Sequence, residues 1–292
     1  MFKGSYVALI TPMRADGSVD EQAFAAFVDW QIGQGADGIV PVGTTGESPT
    51  LSHAEHKRVV EIAVEVSNKR VPVIAGTGSN STSEAVALTK HAKEAGADAA
   101  LVVTPYYNKP TQSGLFLHYQ AIADAVDLPI IIYNIPSRSV VDMSVETMAK
   151  LAKHRNIAGV KDSTANLARP IHQRLACGPG FSQLSGEDHT RLSFLAAGGH
   201  GCISVTANLA PAMCKAMHTH WNAGEISRAI EIQDRLTPLH DALFAETSPG
   251  PVKYAASLLG HGTDHCRLPM APVSDTLRTQ IRTAMQGAGL LN

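Results

Sequence analysis

Lys161 closes the apolar run Ile157-Ala158-Gly159-Val160-Lys161, and Asp162-Ser163 follow it. A run this short and apolar reads as a buried strand. An ammonium group there is out of place unless it has a partner or a task. Desolvation favours the neutral amine, which is a nucleophile. Alone, Lys161 is equally a strand end in solvent or a partner for Asp162, so the neighbouring segments must decide. Pro41-Val42-Gly43-Thr44-Thr45-Gly46-Glu47 sets two hydroxyls between glycines, in a turn whose N–H groups suit a carboxylate or a developing oxyanion. No Lys-Ser/Thr follows, so it is not a nucleotide P-loop. Ile130-Ile131-Ile132-Tyr133-Asn134-Ile135-Pro136-Ser137-Arg138 adds a tyrosine and an arginine, and Ser185-Gly186-Glu187-Asp188 adds an acidic loop. Tyrosine, threonine and a desolvated lysine suit proton transfer to and from a carbinolamine. Arg138 suits a bidentate carboxylate contact. Singly, these are a core tyrosine, loop threonines and a surface cation. Together they point to an imine-forming lyase.

The elements that must position these groups alternate regularly. Apolar runs at 6–10, 38–42, 71–75, 99–103, 129–133, 157–161, 181–185 and 202–205 are separated by helical patterns, and glycine or polar punctuation marks the boundaries. Capping boxes are expected at Ser52 to Glu55 and at Ser81 to Glu84. Glycine stops are expected at Gly35 and Gly96. Eight strand–helix units imply a parallel sheet closed into a (β/α)8 TIM barrel over residues 1–224, with its chemistry at the C-terminal strand ends. An open dinucleotide-binding sheet would want GxGxxG, and Gly76-Thr77-Gly78-Ser79-Asn80 lacks the third glycine. Residues 225–292 read as a helical appendage, with helices at 225–236, 237–246, 250–259 and 274–286. Alternation along a strand puts Ile157, Gly159 and Lys161 on one face, with Ile131 and Tyr133 likewise. Gly159 is expected to leave space beneath the lysine stem. The glycine-rich stretch 196–201 precedes the last strand and reads as a helix stop and tight turn.

Composition excludes several classes. The 292 residues are 44% hydrophobic and 17% charged, with a net charge of -2, so no basic footprint for nucleic acid exists. No window is long and apolar enough to span a bilayer, and the run 5–10 is too short for a signal peptide. The expected location is cytoplasmic, with Cys177, Cys202, Cys214 and Cys266 as free thiols.

Gly43-Thr44-Thr45-Gly46-Glu47, Tyr133-Asn134-Ile135-Pro136-Ser137-Arg138 and Gly159-Val160-Lys161-Asp162-Ser163 together resemble the dihydrodipicolinate synthase and N-acetylneuraminate lyase superfamily of class I aldolases. The resemblance covers the whole chain. It implies a Schiff base between Lys161 and pyruvate. Tyr133, Thr44 and Tyr107 would relay protons, with Tyr107 reaching in from a neighbouring subunit of a homotetramer. Thr44 and Thr45 would hold the pyruvate carboxylate, and Gly186 and Ile203 would line the site. Thr45 and Arg138 resemble the synthase branch, in which the arginine holds the carboxylate of L-aspartate 4-semialdehyde. The implied product is 4-hydroxy-tetrahydrodipicolinate, on the way to lysine and diaminopimelate, without metal or organic cofactor. Ser48, His53, His56, Asn80, Glu84 and Tyr106 match the site at which L-lysine inhibits bacterial members. Pro49 and Ser248 depart from the familiar pattern; Pro49 fixes its φ and lacks an N–H, so it is expected to alter its loop.

Three rivals share some of these signals. A sialic acid or 2-keto-3-deoxy sugar acid lyase would use the same lysine and tyrosine, but its polyol pocket has less need of Arg138. A zinc-dependent aldolase would need a ligand cluster at a strand end, whereas His261, His265 and Cys266 fall in the helical appendage. A non-catalytic pyruvate or sugar-acid binding module would bind without turnover.

Overall fold

Every expected apolar run carries a strand. The computed structural model describes residues 1–292. In chain order it contains β1 (Gly4–Ala8), α1 (Glu21–Gly33), β2 (Gly38–Val40), α2 (His53–Ser67), β3 (Ile74–Gly76), α3 (Thr82–Ala95), β4 (Ala99–Val103) and α4 (Gln112–Ala125). There follow β5 (Ile130–Asn134), α5 (Pro136–Ser139), α6 (Val145–Leu151), β6 (Ile157–Asp162), α7 (Arg169–Cys177), β7 (Ser182–Ser185), α8 (Arg191–Ala196) and β8 (Gly201–Ser204). Four helices complete the chain: α9 (Pro211–Asn222), α10 (Ile226–Phe244), α11 (Gly250–Leu258) and α12 (Asp275–Ala288). The strands lie in one sheet in the order β2-β1-β8-β7-β6-β5-β4-β3, and the registered pairs are parallel. The fold is a (β/α)8 barrel followed by C-terminal helices.

Two compact units make up the chain. One comprises Met1–Gly4 and Pro72–Ile203, and the other Ser5–Val71 and Ser204–Asn292. The core of the first is the inner ladder of β3 to β7, where Ala99, Ala100, Ile130, Ile131, Ile132 and Val160 are fully buried. Burying such branched side chains on both faces is what makes these strands read as continuous apolar runs. In the second unit β1 pairs with β2 through Tyr6↔Gly38, and the ring of Tyr6 occupies the space where a Cβ on Gly38 would stand. There Asn208 accepts from the Ile10 amide and donates to the carbonyls of Ala8 and Val205, tying the β1 end to the chain after β8.

Local boundaries follow the expected chemistry with two exceptions. Ser52 caps α2: its hydroxyl accepts from the Glu55 amide at 3.2 Å, and the Glu55 carboxylate accepts from the Ser52 amide at 2.8 Å. Gly35 and Gly96 take positive φ after α1 and α3, and Gly198 does so after α8. The second capping box does not form. Ser81 stands at the N-cap of α3 but its hydroxyl accepts no cap bond from the backbone, and Glu84 binds the hydroxyl of Ser79 instead. Ser79 also accepts from the Ser81 amide at 3.0 Å, so a buried hydroxyl earlier in the loop replaces the cap. The expected break between 236 and 237 is also absent, because α10 runs through Pro238. Buried Leu236, Leu239, His240 and Leu243 continue its apolar stripe across the proline, outweighing one lost backbone donor. The Thr237 hydroxyl donates to the Gln233 carbonyl at 2.9 Å in the same turn. All four cysteines are free thiols, and no helix is long and apolar enough to cross a membrane.

The N-terminus of α2 is also tied by charge. Arg267 donates to both oxygens of Glu55, one at 2.9 Å, and to the Thr50 carbonyl at 2.6 Å. Hydrogen bonding from Arg267 holds the Glu55 carboxyl down from 4.5 to about 2. A lowered folded-state value means stabilisation that is fully present above pH 4.5 and is lost as pH falls through about 2. The stability difference between the parent and Glu55→Gln, followed by circular dichroism during denaturant unfolding, should therefore shrink as pH falls across that window. A difference that stays constant with pH contradicts the assignment.

Candidate active site

Strand register makes the first contact. β5 and β6 pair through Tyr133↔Lys161 and Asn134↔Asp162. Lys161 Nζ lies 4.2 Å from the centroid of the Tyr133 ring, with the two residues 6% and 5% exposed. A cation–π contact of this kind contributes roughly 0.5–2 kcal/mol. That is small against burying an ammonium without full hydrogen bonding. The contact alone therefore does not fix the side chain, and the frame around it must hold the geometry.

The frame is visible in the neighbours of each residue. Asp162 points to the opposite face from Lys161, as alternation requires. Its carboxylate accepts from Arg169 Nε at 3.0 Å, Gln173 Nε2 at 2.7 Å, and the amide and hydroxyl of Thr164 at 3.0 and 2.6 Å. Asp162 is thus a clamp for α7, and the reading of Lys161 as its partner falls. Asn134 does the same for the next loop, donating to Asp142 at 2.7 Å and accepting from the Met143 amide at 2.9 Å. Tyr119, fully buried on α4, donates to the Val102 carbonyl at 2.7 Å and meets the backbone of Tyr133. Burial pushes its phenol well above the ordinary value, so it stays a neutral donor that pins β4 beside β5.

One glycine has a different role from that expected. A Cβ on Gly159 would stand 2.3 Å from the Ser182 carbonyl oxygen. Gly159 therefore admits the backbone of β7 and leaves no open space under the lysine. The glycine against the lysine stem is Gly186, where a Cβ would stand 3.0 Å from Lys161 Cε and 1.9 Å from Ser163 Oγ. Its amide donates to the Asp162 carbonyl at 2.8 Å, which fixes the β7 loop to the end of β6. Glu187 follows in this loop, half-buried. Burial pushes its carboxyl above the ordinary range, while Lys161 and a hydrogen bond with Ser163 oppose the shift. The loop thus brings a carboxyl that holds a proton more readily than usual close to the lysine.

The remaining expected residues of this unit are spread out. Ile203 is fully buried in β8. Arg138 is exposed on α5, just beyond Tyr133. Tyr107 is 88% exposed, at φ 71, so it is not part of the buried group. Asn80 and Tyr106 fall on adjoining loops and Glu84 in the first turn of α3: Asn108 donates to the Asn80 carbonyl at 2.9 Å, and its amide donates to that of Tyr106 at 2.9 Å.

In the other unit, Thr44 and Thr45 share one tight turn. Gly46 N–H donates to the Gly43 carbonyl and Glu47 N–H to the Thr44 carbonyl, each at 3.1 Å. The turn's own bonds use the amides of Gly46, Glu47 and Ser48, and those of Thr44 and Thr45 are outside the set. A Cβ on Gly46 would come within 3.1–3.2 Å of Val42 N, the Leu9 carbonyl and Thr11 Oγ1, so only glycine fits this approach comfortably. Ser48 opens a 3₁₀ turn over Ser48–Thr50. Pro49 sits early in that turn, where a missing N–H is harmless, so it is accommodated without distortion. His53 is exposed at the first position of α2, and His56 is buried one turn on. Ser248 is buried just before α11. His261 packs on Trp30 with ring centroids 4.1 Å apart.

Three supporting side chains were not among those expected: Tyr119 and Gln173 in the first unit and Lys253 in the second. Lys253 alone had a readable signal. It is a lysine inside the apolar helical stretch Val252 to Ala256, and it pairs with Glu47 at 2.6 Å.

Known proteins resemble this one along the full chain. A profile of the dihydrodipicolinate synthetase family matches residues 1–288. The 4-hydroxy-tetrahydrodipicolinate synthase of Acidiphilium cryptum is 66% identical over 291 residues, covering 100% of each chain. The chloride-inhibited dihydrodipicolinate synthase of Acinetobacter baumannii, solved in complex with pyruvate, is 45% identical, superposes with a TM-score of 0.97 and covers 100% of both chains. DHDPS from Cyanidioschyzon merolae, solved with lysine bound, is 38% identical, with a TM-score of 0.97 and 99% of each chain covered.

The close approach at Gly186 gives a direct test. In Gly186→Ala, the new methyl must displace Ser163 Oγ and press on the Lys161 stem. With reacting atoms moved by a fraction of an ångström, turnover should fall by about 10²-fold while the protein stays folded. Turnover within about twofold of the parent contradicts the packing argument.

Proposed function

The chain belongs to the dihydrodipicolinate synthetase family, and from that we propose that it condenses pyruvate with L-aspartate 4-semialdehyde through an imine at Lys161. The observation that carries the proposal is the buried amine of Lys161 over the Tyr133 ring, with Asp162 turned away to α7. In this reading the neutral amine adds to the carbonyl carbon of pyruvate. The carbinolamine loses water to give the imine, and loss of a methyl proton gives the enamine that attacks the aldehyde. The amino group of the semialdehyde then displaces Lys161 from the imine carbon, closing 4-hydroxy-tetrahydrodipicolinate and freeing the enzyme.

Tyr133, Thr44 and Tyr107 move the protons, Tyr107 doing so from a neighbouring subunit of a homotetramer. The amides and hydroxyls of Thr44 and Thr45 hold the pyruvate carboxylate. Arg138 holds that of the aldehyde, and Gly186 and Ile203 line the site. No metal or organic cofactor takes part. Residues 1–224 form the catalytic barrel and 225–292 the helical appendage. L-Lysine inhibits at Ser48, His53, His56, Asn80, Glu84 and Tyr106. The pyruvate complex and the lysine complex of the two solved relatives support the substrate and the inhibitor. The product feeds lysine and diaminopimelate synthesis.

The test is an assay with pyruvate and aspartate semialdehyde beside one of N-acetylneuraminate cleavage. Turnover is expected in the first only, is abolished in Lys161→Ala, and falls as L-lysine is raised. Cleavage of the sugar acid without condensation would assign the chain to the lyase branch, and near-normal activity of Lys161→Ala would overturn the imine. Activity flat to saturating L-lysine would remove the inhibitor site.

A further inference from the structure

Glu47 and Lys253 form an ion pair buried within the unit that carries the Thr44–Thr45 turn. Lys253 is 0% exposed and Glu47 4%, and Nζ lies 2.6 Å from Oε1. Glu47 stands directly after Gly46 in the left-handed region, at φ 57. Each of its polar groups is engaged. Oε2 accepts from the Arg267 amide at 2.9 Å. Its amide donates to the Thr44 carbonyl at 3.1 Å, and its carbonyl accepts from the Thr50 amide and hydroxyl at 3.0 and 3.1 Å. The turn is therefore held from below by Lys253, which enters from α11, and by the backbone of Arg267. The same Arg267 side chain is anchored on Glu55.

A buried ion pair is poor value as a stabiliser, because desolvation offsets most of the attraction and an apolar pair of similar volume is often as good. What such a pair does provide is one allowed geometry, since neither charge tolerates any other place in the interior. Here the geometry it fixes is that of the residue closing the turn.

We propose that Glu47 and Lys253 are positioning residues that hold the Thr44 and Thr45 amides in register to bind the carboxylate of the keto-acid substrate. This rests on the reading of those amides as the pyruvate carboxylate site. Nothing in the pair touches the substrate, so its loss is expected in pyruvate recognition and not in the later chemistry. Glu47→Gln keeps the shape and the bond from the Arg267 amide but leaves the Lys253 ammonium without a counter-charge. The double variant Glu47→Gln, Lys253→Met removes both buried charges and is the form expected to fold if the single one does not.

Steady-state kinetics of the full-length enzyme, with thermal unfolding of each variant, make the test. The expected result is a rise of about tenfold or more in KM for pyruvate in the double variant and in the single variant if folded, with kcat within about threefold and KM for the aldehyde unchanged. The double variant recovers the melting temperature of the parent without recovering pyruvate KM. Pyruvate KM within about twofold of the parent in the double variant makes the pair a structural element only and overturns the proposal. A fall confined to kcat or to aldehyde KM also overturns it. A parent enzyme with no pyruvate-dependent turnover overturns the functional reading itself, which separates the two failures.

Discussion

A lysine amine held out of water against a tyrosine ring is the constraint on which the rest of the site depends. The contact between Lys161 and Tyr133 is too weak to hold this arrangement by itself. It persists because the parallel register of β5 and β6 sets both side chains on one face, and because the residues beside them are locked on the other. Asp162 is held by Arg169, Gln173 and Thr164, and Asn134 is held by Asp142 and Met143. These bonds fix the strand ends so that neither can rotate its reactive neighbour into solvent. In the proposed reaction, Lys161 would thus be positioned by residues on the opposite faces of their strands.

Close packing also constrains the loop beside the lysine. Gly186 brings backbone close against the stem, and Glu187 adds a half-buried carboxyl whose proton is held more tightly than usual. In the other unit, a glycine-bounded turn keeps two amides out of its own hydrogen bonds, and a buried ion pair fastens its closing residue. In both places close packing and hydrogen bonds hold the backbone in one geometry. Catalytic groups on strand ends, supported by clamps in adjoining helices, are what the (β/α)8 arrangement offers.

Much of this was legible in the residues. The strands were readable because they are short, largely apolar and buried on both faces, although β7 carries Ser182, Gln183 and Ser185, and Lys161 stood out as a polar end to one of them. Its partner Tyr133 followed from alternation and strand order. The limits were equally physical. Gly159 and Gly186 carry the same letter, and only the packing of β7 showed which one faces Ser182 and which one faces the lysine. The Ser81–Glu84 spacing matched a capping box, but Ser79 offered Glu84 a competing buried hydroxyl. The break expected between 236 and 237 was overridden by the apolar stripe of α10, which runs through Pro238. The Glu47–Lys253 pair joins positions 206 residues apart, a separation at which no local pattern operates.

The central claim is that Lys161 is the imine-forming amine. The most direct test is reduction with borohydride in the presence of pyruvate, followed by peptide mass mapping. The account predicts irreversible inactivation that requires pyruvate, with the reduced adduct on the peptide containing Lys161 and on no other. Inactivation without an adduct at Lys161, or full activity after reduction with saturating pyruvate, would contradict it.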